Sequence, residues 1–197
     1  MACTPRPTSP TTDGQSSRGR ARAADASPFY RFCEAQLLPS LAEYLCGNAR
    51  VTLEVAAELR RGARSDRHAG LHYLELAGWP PETAALPAEL LRLFLDYSRA
   101  ARQKDEPPSE HAGEIATVLM AAHLGADVVV IDDLFGKRLA RDRRVSRLST
   151  AQLAAEMVAE GELTDQDGYR VFELSTPRDA GRADFRRACH RARTLGR

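Results

Sequence analysis

Lysine is nearly absent from this chain: Lys104 and Lys137 stand alone against 26 Arg in 197 residues. Such a bias matches the codon usage of a GC-rich genome, so abundant arginine by itself carries no binding signal. Charge of one sign is also lacking. The 28 basic and 27 acidic residues leave a net charge of +1, which excludes a protein that coats nucleic acid nonspecifically and leaves local patches open. Aromatic residues make up 6% and are not interleaved with the basic ones, so no stacking platform for single-stranded bases is indicated. Long apolar runs are missing. The longest candidate, Ile115 to Ile131, is broken by His123, Gly125 and Asp127, short of the roughly 18 apolar residues of a membrane span. The four cysteines (Cys3, Cys33, Cys46, Cys189) show no CxxC spacing, which argues against a zinc knuckle or a dithiol redox motif. The first 20 residues have no apolar segment of the signal-peptide kind. The expectation is a cytoplasmic protein with reduced thiols. There is no glycine-rich phosphate loop and no serine in a nucleophile elbow, and His68 and His72 lack the intervening Glu of a zincin.

What is present is a chain with 43% hydrophobic residues, enough for a folded domain rather than wholesale disorder. Residues 1–22 are rich in Pro, Ser, Thr, Gly and Arg and read as a disordered basic tail. From Pro28 to Cys46, apolar residues recur near helical spacing, with Pro39 dividing the stretch into two short helices. Ala49 to Leu53 is β-capable, and Glu54 to Arg61 is helical and ended by Gly62. Residues 66–76 form another helix, and Trp79-Pro80-Pro81 breaks the chain. Ala88 to Arg102 is amphipathic through Leu90, Leu91, Leu93, Phe94 and Tyr97. Gln103 to Pro108 is a loop, and a helix begins at Ser109 and runs to about Leu124. The run Asp127 to Ile131 has the continuous apolar character of a strand buried on both faces. A basic helix from Leu134 to Arg143, a short strand near Val145 to Leu148, an amphipathic helix from Thr150 to Glu160 and an arginine-rich helix from Arg182 to Thr194 complete the pattern. Helices alternating with short β segments predict an α/β fold with helices covering a small parallel sheet.

Ligand sites in such sheets gather beyond the carboxyl ends of the strands. Asp132-Asp133 directly follows the apolar strand, Gly113-Glu114 opens the helix before it, and Asp25-Ala26-Ser27 precedes the first helical pattern. Carboxylates converging there repel one another unless a hard divalent cation neutralises them, and Mg²⁺ or Mn²⁺ prefers oxygen ligands. Each acid also has a plain structural role open to it, as a helix cap or a solvated side chain.

These pieces resemble, in order, the PIN domain, a ribonuclease fold found in many toxins of toxin–antitoxin pairs. Asp25-Ala26-Ser27 resembles its D-x-S. Ala49 to Arg60 resembles its second strand and short helix, with Glu58 in the acidic place. Gly113-Glu114 followed by Ile115 to Asp127 resembles its G-E-x-x-A helix with the L-G-A-D ending, and Val128 to Arg138 resembles a strand, acidic pair and basic helix start. The resemblance spans about Asp25 to Glu160 and is strongest over residues 110–140. It implies a three-layer α/β/α PIN-like fold with a small, mostly parallel sheet. Residues 23–165 form that domain with a helical insert at about 63–108, and residues 166–197 form a C-terminal helical extension. It further implies a metal-dependent endoribonuclease with Asp25, Glu114 and Asp132 or Asp133 as catalytic metal ligands, Glu58 as a fourth, and Mg²⁺ or Mn²⁺ as cofactor. An RNA substrate, a small antitoxin protein and a homodimer are the partners such a family suggests. Two departures are visible. Arg18 to Ala24 makes a poor first strand where the family has Val, Ile and Leu, and the insert is long. They support an alternative, a catalytically inactive PIN-like module that binds RNA or a protein partner.

Near-neutrality hides unlike parts. Residues 1–22 carry four Arg and one Asp, and residues 137–147 carry one Lys, five Arg and one Asp, so the remainder is acidic overall. Lys137, Arg138 and Arg141 follow the acidic pair on one helix, and they are the candidate contacts to a phosphate backbone. His111 stands three residues before Glu114 and reads as a helix-surface residue.

Overall fold

The computed structural model describes residues 21–79, 83–101, 111–176 and 180–195. The tail over residues 1–20, the break at Pro80-Pro81, the loop Gln103 to Pro108 and the helix start at Ser109 lie outside the described residues. Among those described, five strands form one all-parallel sheet in the order β3-β2-β1-β4-β5. They are β1 (Arg22–Ala24), β2 (Ala49–Thr52), β3 (Thr83–Ala84), β4 (Val128–Val130) and β5 (Arg147–Leu148). Among the described residues ten α-helices lie between and after them, making a mixed α/β protein consistent with three α/β/α layers.

Side chains alternate between the two faces of the sheet, as the pleat requires. Ala24, Val51 and Val130 enter one apolar core and Ala23, Val129 and Ile131 the other. The first core is completed by α1 (Ser27–Glu34) and α2 (Leu38–Leu45) through Phe29, Phe32 and Leu41, and by α8 (Thr150–Ala159) through Leu153 and Met157. It continues into α9 (Asp165–Ser175) and α10 (Arg182–Leu195), where Phe172 and Phe185 meet with ring centroids 5.2 Å apart. The second core holds α6 (Ala112–Leu124) and α7 (Leu134–Asp142), with α5 (Ala88–Ala101) laid over it by Leu90, Leu93, Phe94 and Tyr97. α3 (Leu53–Gly62) sends Val55, Ala56 and Leu59 into the first core. Pro39 sits in the first turn of α2, where its missing N–H costs nothing.

The first strand forms despite its composition. Arg22 is buried in the middle of the sheet, and its Nη2 donates to Tyr44 Oη and to Glu156 Oε1, each at 3.2 Å. The pair with Glu156 offsets part of the cost of burying the charge, while Arg22 Nε and Nη1 find no partner among the described residues; a polar segment thus occupies a place that apolar residues would otherwise take. Three other elements differ from the sequence reading. Residues 66–76 split into a 3-10 turn at Asp66–Leu71 and a short α4 at His72–Leu76. β3 lies inside the expected helical insert. The C-terminal helical extension holds a further helix, α9, before the arginine-rich one, and its cap is Thr164, whose Oγ1 accepts from Asp167 N at 3.1 Å. Among the described residues, Cys33 and Cys189 are free thiols. No described helix is long and apolar enough to cross a membrane.

Candidate metal centre

The strand order places β2 and β3 to one side of β1 and β4 and β5 to the other. The reversal lies between β1 and β4, and open α/β sheets bind ligands in the crevice beyond the strand ends at such a point. Asp25 follows β1 and Asp132-Asp133 follows β4, so both segments flank that crevice. Asp25 N donates to Val130 O at 3.1 Å and ties the two strand ends together.

Asp25 is 2% exposed. Its Oδ2 accepts from Ser27 Oγ at 3.0 Å, and backbone N–H groups of Ala26 and Ser27 add further bonds. Its Oδ1 is buried without a hydrogen-bond partner among the described residues. Burial first, and the charge of Glu114 second, push the Asp25 carboxyl up to about 7, against the pull of the Ala26 and Ser27 bonds.

The helix opposite presses close because its second residue is Gly113. A Cβ built there would lie 3.1 Å from Glu58 Oε2, 3.3 Å from Asp25 Oδ1 and 3.4 Å from Val55 Cγ2. The glycine thus brings the end of α6 down between two carboxylates. Glu114, the next residue, has its carboxyl raised above the ordinary range. Burial is the main cause and the charges of Asp133 and Glu58 add to it, while a backbone hydrogen bond and His111 act in the other direction. These mutual effects put Asp25, Glu58, Glu114 and Asp133 in one electrostatic neighbourhood.

Among the described residues, His111, Glu114 and Asp133 each offer one ligand atom within 4.8 Å of the others, a set that does not include Asp25, Glu58 or Asp132. Asp133 caps α7, its Oδ1 accepting from Phe135 N at 2.7 Å and Gly136 N at 3.1 Å. Those two bonds fix the carboxylate at the mouth of the crevice. Asp132 is engaged elsewhere. Its Oδ1 accepts from Thr150 N at 2.8 Å, closing the start of α8, and it borders a groove shared with Ser27, Arg31 and Glu34. Of the two adjacent aspartates, the one that joins Glu114 is therefore Asp133. His111, read from the sequence as a surface residue, belongs to the group. Its spacing of three from Glu114 was the available signal.

The basic residues divide by what they touch. Lys137 is half-buried and Arg138 exposed on the first turns of α7. Arg141 is exposed and its Nε stands 3.5 Å from Asp142 Oδ1. Arg143 lies over the Tyr97 ring and donates to its hydroxyl at 2.9 Å, which occupies it in packing. On α10, Arg182 covers Tyr169 and Arg187 pairs with Asp184.

Chemically, the cluster offers carboxylate oxygens and one imidazole from four elements, with a buried oxygen that none of the described residues satisfies. A divalent cation suits that donor set: hard oxygens for Mg²⁺ or Mn²⁺, and a nitrogen that transition ions accept. No family model matches the chain, and no curated protein or solved structure matches it.

Proposed function

We propose that this chain is a metal-dependent ribonuclease of the PIN-like kind, hydrolysing RNA phosphodiester bonds at the carboxylate cluster. The observation that carries the reading is Asp25, whose Oδ1 is enclosed without a partner beside Glu58 and Glu114 at the switch point of the sheet. Acids packed this way stay ionised at neutral pH only with a cation among them. Asp25, Glu114 and Asp133 would hold Mg²⁺ or Mn²⁺, with Glu58 alongside. The ion would supply an activated water and neutralise charge developing on the phosphoryl group.

The chain's own part is preorganisation. Ser27 and two backbone N–H groups hold Asp25, and the first turn of α7 holds Asp133. Neither side chain has to reorder when substrate arrives, which is where most electrostatic catalysis originates. Lys137 and Arg138, one turn along α7 from Asp133, are positioned for backbone phosphates, while Arg141 is partly committed to Asp142. The choice of RNA over another phosphodiester rests on the resemblance of residues 110–140 to the PIN domain.

The test is cleavage of single-stranded RNA with Mn²⁺ by the parent and by Asp25→Asn, Glu114→Gln, Asp133→Asn and Asp132→Asn. The first three lose at least a hundredfold in rate. Asp132→Asn keeps most activity, because its carboxylate serves the start of α8. A parent rate retained by Asp133→Asn, or equal losses at the two aspartates, refutes the assignment.

A further inference from the structure

We propose that His111 is itself a ligand of the cation held by this cluster, and that its imidazole biases the site toward Mn²⁺ over Mg²⁺. The inference rests on the reading above in one respect only: that the cluster binds a divalent ion.

Three observations lead to it. His111 occupies the residue before α6 in the left-handed backbone region, φ 59° and ψ 6°, a conformation uncommon for residues other than glycine. Its side chain makes no hydrogen bond that caps the helix, so helix capping does not explain its position. The ring is 19% exposed and packs on Phe135 with centroids 5.0 Å apart, which sets the ring plane from the same helix that carries Asp133.

The second observation is distance. His111 Nδ1 stands 3.9 Å from Asp133 Oδ1, too long for a hydrogen bond. Two donors each about 2.1 Å from a common ion are about 3 Å apart at a right angle and about 4 Å apart near 140°. The separation falls between those two values, within what a shared ion can span. Glu114 completes a set of three whose ligand atoms lie within 4.8 Å of one another.

The third observation is an unpartnered acceptor at the edge of this group. Asp25 Oδ1, in a residue 2% exposed and without a partner among the described residues, faces α6 at Gly113, the residue before Glu114. A buried acceptor left open toward that turn points to a positive species lodged there.

The donor set then decides which ion. An all-oxygen site suits Mg²⁺, which keeps near-octahedral oxygen coordination and sheds water reluctantly. Imidazole suits transition ions, and Mn²⁺ is the one among them that also accepts a majority of carboxylate oxygens. One nitrogen among three or four oxygens shifts the balance from Mg²⁺ to Mn²⁺.

The experiment titrates the full chain and His111→Gly with Mn²⁺ by electron paramagnetic resonance, with Mg²⁺ as competitor, and records pulsed spectra of the Mn²⁺ complex. Glycine removes the imidazole and keeps the left-handed backbone without strain. The parent complex shows ¹⁴N coupling from a bound imidazole. His111→Gly loses that coupling and binds Mn²⁺ at least tenfold more weakly, while Mg²⁺ affinity changes less than threefold. A parent spectrum without ¹⁴N coupling, or equal Mn²⁺ affinity in the variant, overturns the role of His111; RNA cleavage by that same protein would leave the nuclease reading in place. Nitrogen-coupled Mn²⁺ in a parent that cleaves no RNA upholds His111 and overturns the nuclease. No Mn²⁺ binding at millimolar concentration overturns both. The parent spectrum decides the question even where the variant fails to fold.

Discussion

Replacing Asp25 by Asn removes a carboxylate that burial holds unfavourably in the metal-free fold. Burial and the neighbouring charge of Glu114 raise its carboxyl from 3.8 to about 7. The native state therefore keeps a proton that the unfolded chain has already released between about pH 4 and pH 7. The sign follows from linkage: a carboxyl raised on folding contributes its full stability below pH 3.8 and loses it as pH climbs to about 7. At about 1.36 kcal/mol per pH unit, the gap amounts to about 4 kcal/mol above pH 7. Asparagine keeps an oxygen for Ser27 and places an amide near Glu58, so the variant loses little of the local bonding. In EDTA, Asp25→Asn and the parent have similar unfolding free energies at pH 4, and the variant is more stable by about 2–4 kcal/mol at pH 8. Urea unfolding at four pH values across that window measures the difference. Subtracting the parent curve cancels the titration of groups that both chains share, leaving the coupled response of Glu114 as a minor remainder. Saturating Mn²⁺ reverses the order at pH 8, because the cation needs the carboxylate that the variant lacks. A variant-minus-parent difference that stays flat from pH 4 to pH 8 refutes the claim that Asp25 is enclosed against other acids.

Gly113→Ala gains about 1 kcal/mol of helix propensity but sets a Cβ 3.1 Å from Glu58 Oε2 and 3.3 Å from Asp25 Oδ1; Mn²⁺ affinity and RNA cleavage both fall at least tenfold while the melting temperature changes little. Arg22→Met strands Glu156 in the core and lowers stability by about 3 kcal/mol, and adding Glu156→Leu restores most of it, as chemical denaturation of the single and double variants measures. Gly136→Ala drives a Cβ to within 2.1 Å of Ile131 Cδ1, separating α7 from β4 at a cost of about 1–3 kcal/mol in thermal unfolding.

Much of the fold was legible because its signals are local. Val128 to Ile131 reads as a doubly buried strand, and it is one. Thr52, Asp133 and Ser149 each cap the helix that follows, and Pro39 opens α2 where the sequence places a break. What escaped depends on partners far along the chain. Arg22 looks hostile to a central strand until Glu156 is seen 134 residues away, and Tyr44 beside it. The two-residue β3 has no period to detect. Its place beside β2 comes from pairing Val51 with Thr83 and Thr52 with Ala84, not from its own composition.

The site shows the same division with sharper consequences. Acids after β1 and β4 are legible as candidates because strand ends at a switch point are where ligands bind. Choosing between Asp132 and Asp133 is not, since it depends on which backbone N–H each side chain meets. Asp133 meets those two and three residues on, inside its own helix; Asp132 meets Thr150, 18 residues away across β5. A histidine beginning a helix lies on the surface by default, and only the left-handed turn that directs its ring toward Asp133 changes that for His111. The Gly113-Glu114 pair gains a physical meaning from the geometry. The glycine serves as an absence of volume: it lets the end of α6 descend onto Asp25 and Glu58 and so delivers Glu114 to the same crevice. A larger residue would relieve the repulsion among these acids by spacing them apart. The fold instead keeps them crowded, and crowded acids of this kind are stable at neutral pH when a cation, not distance, separates their charges.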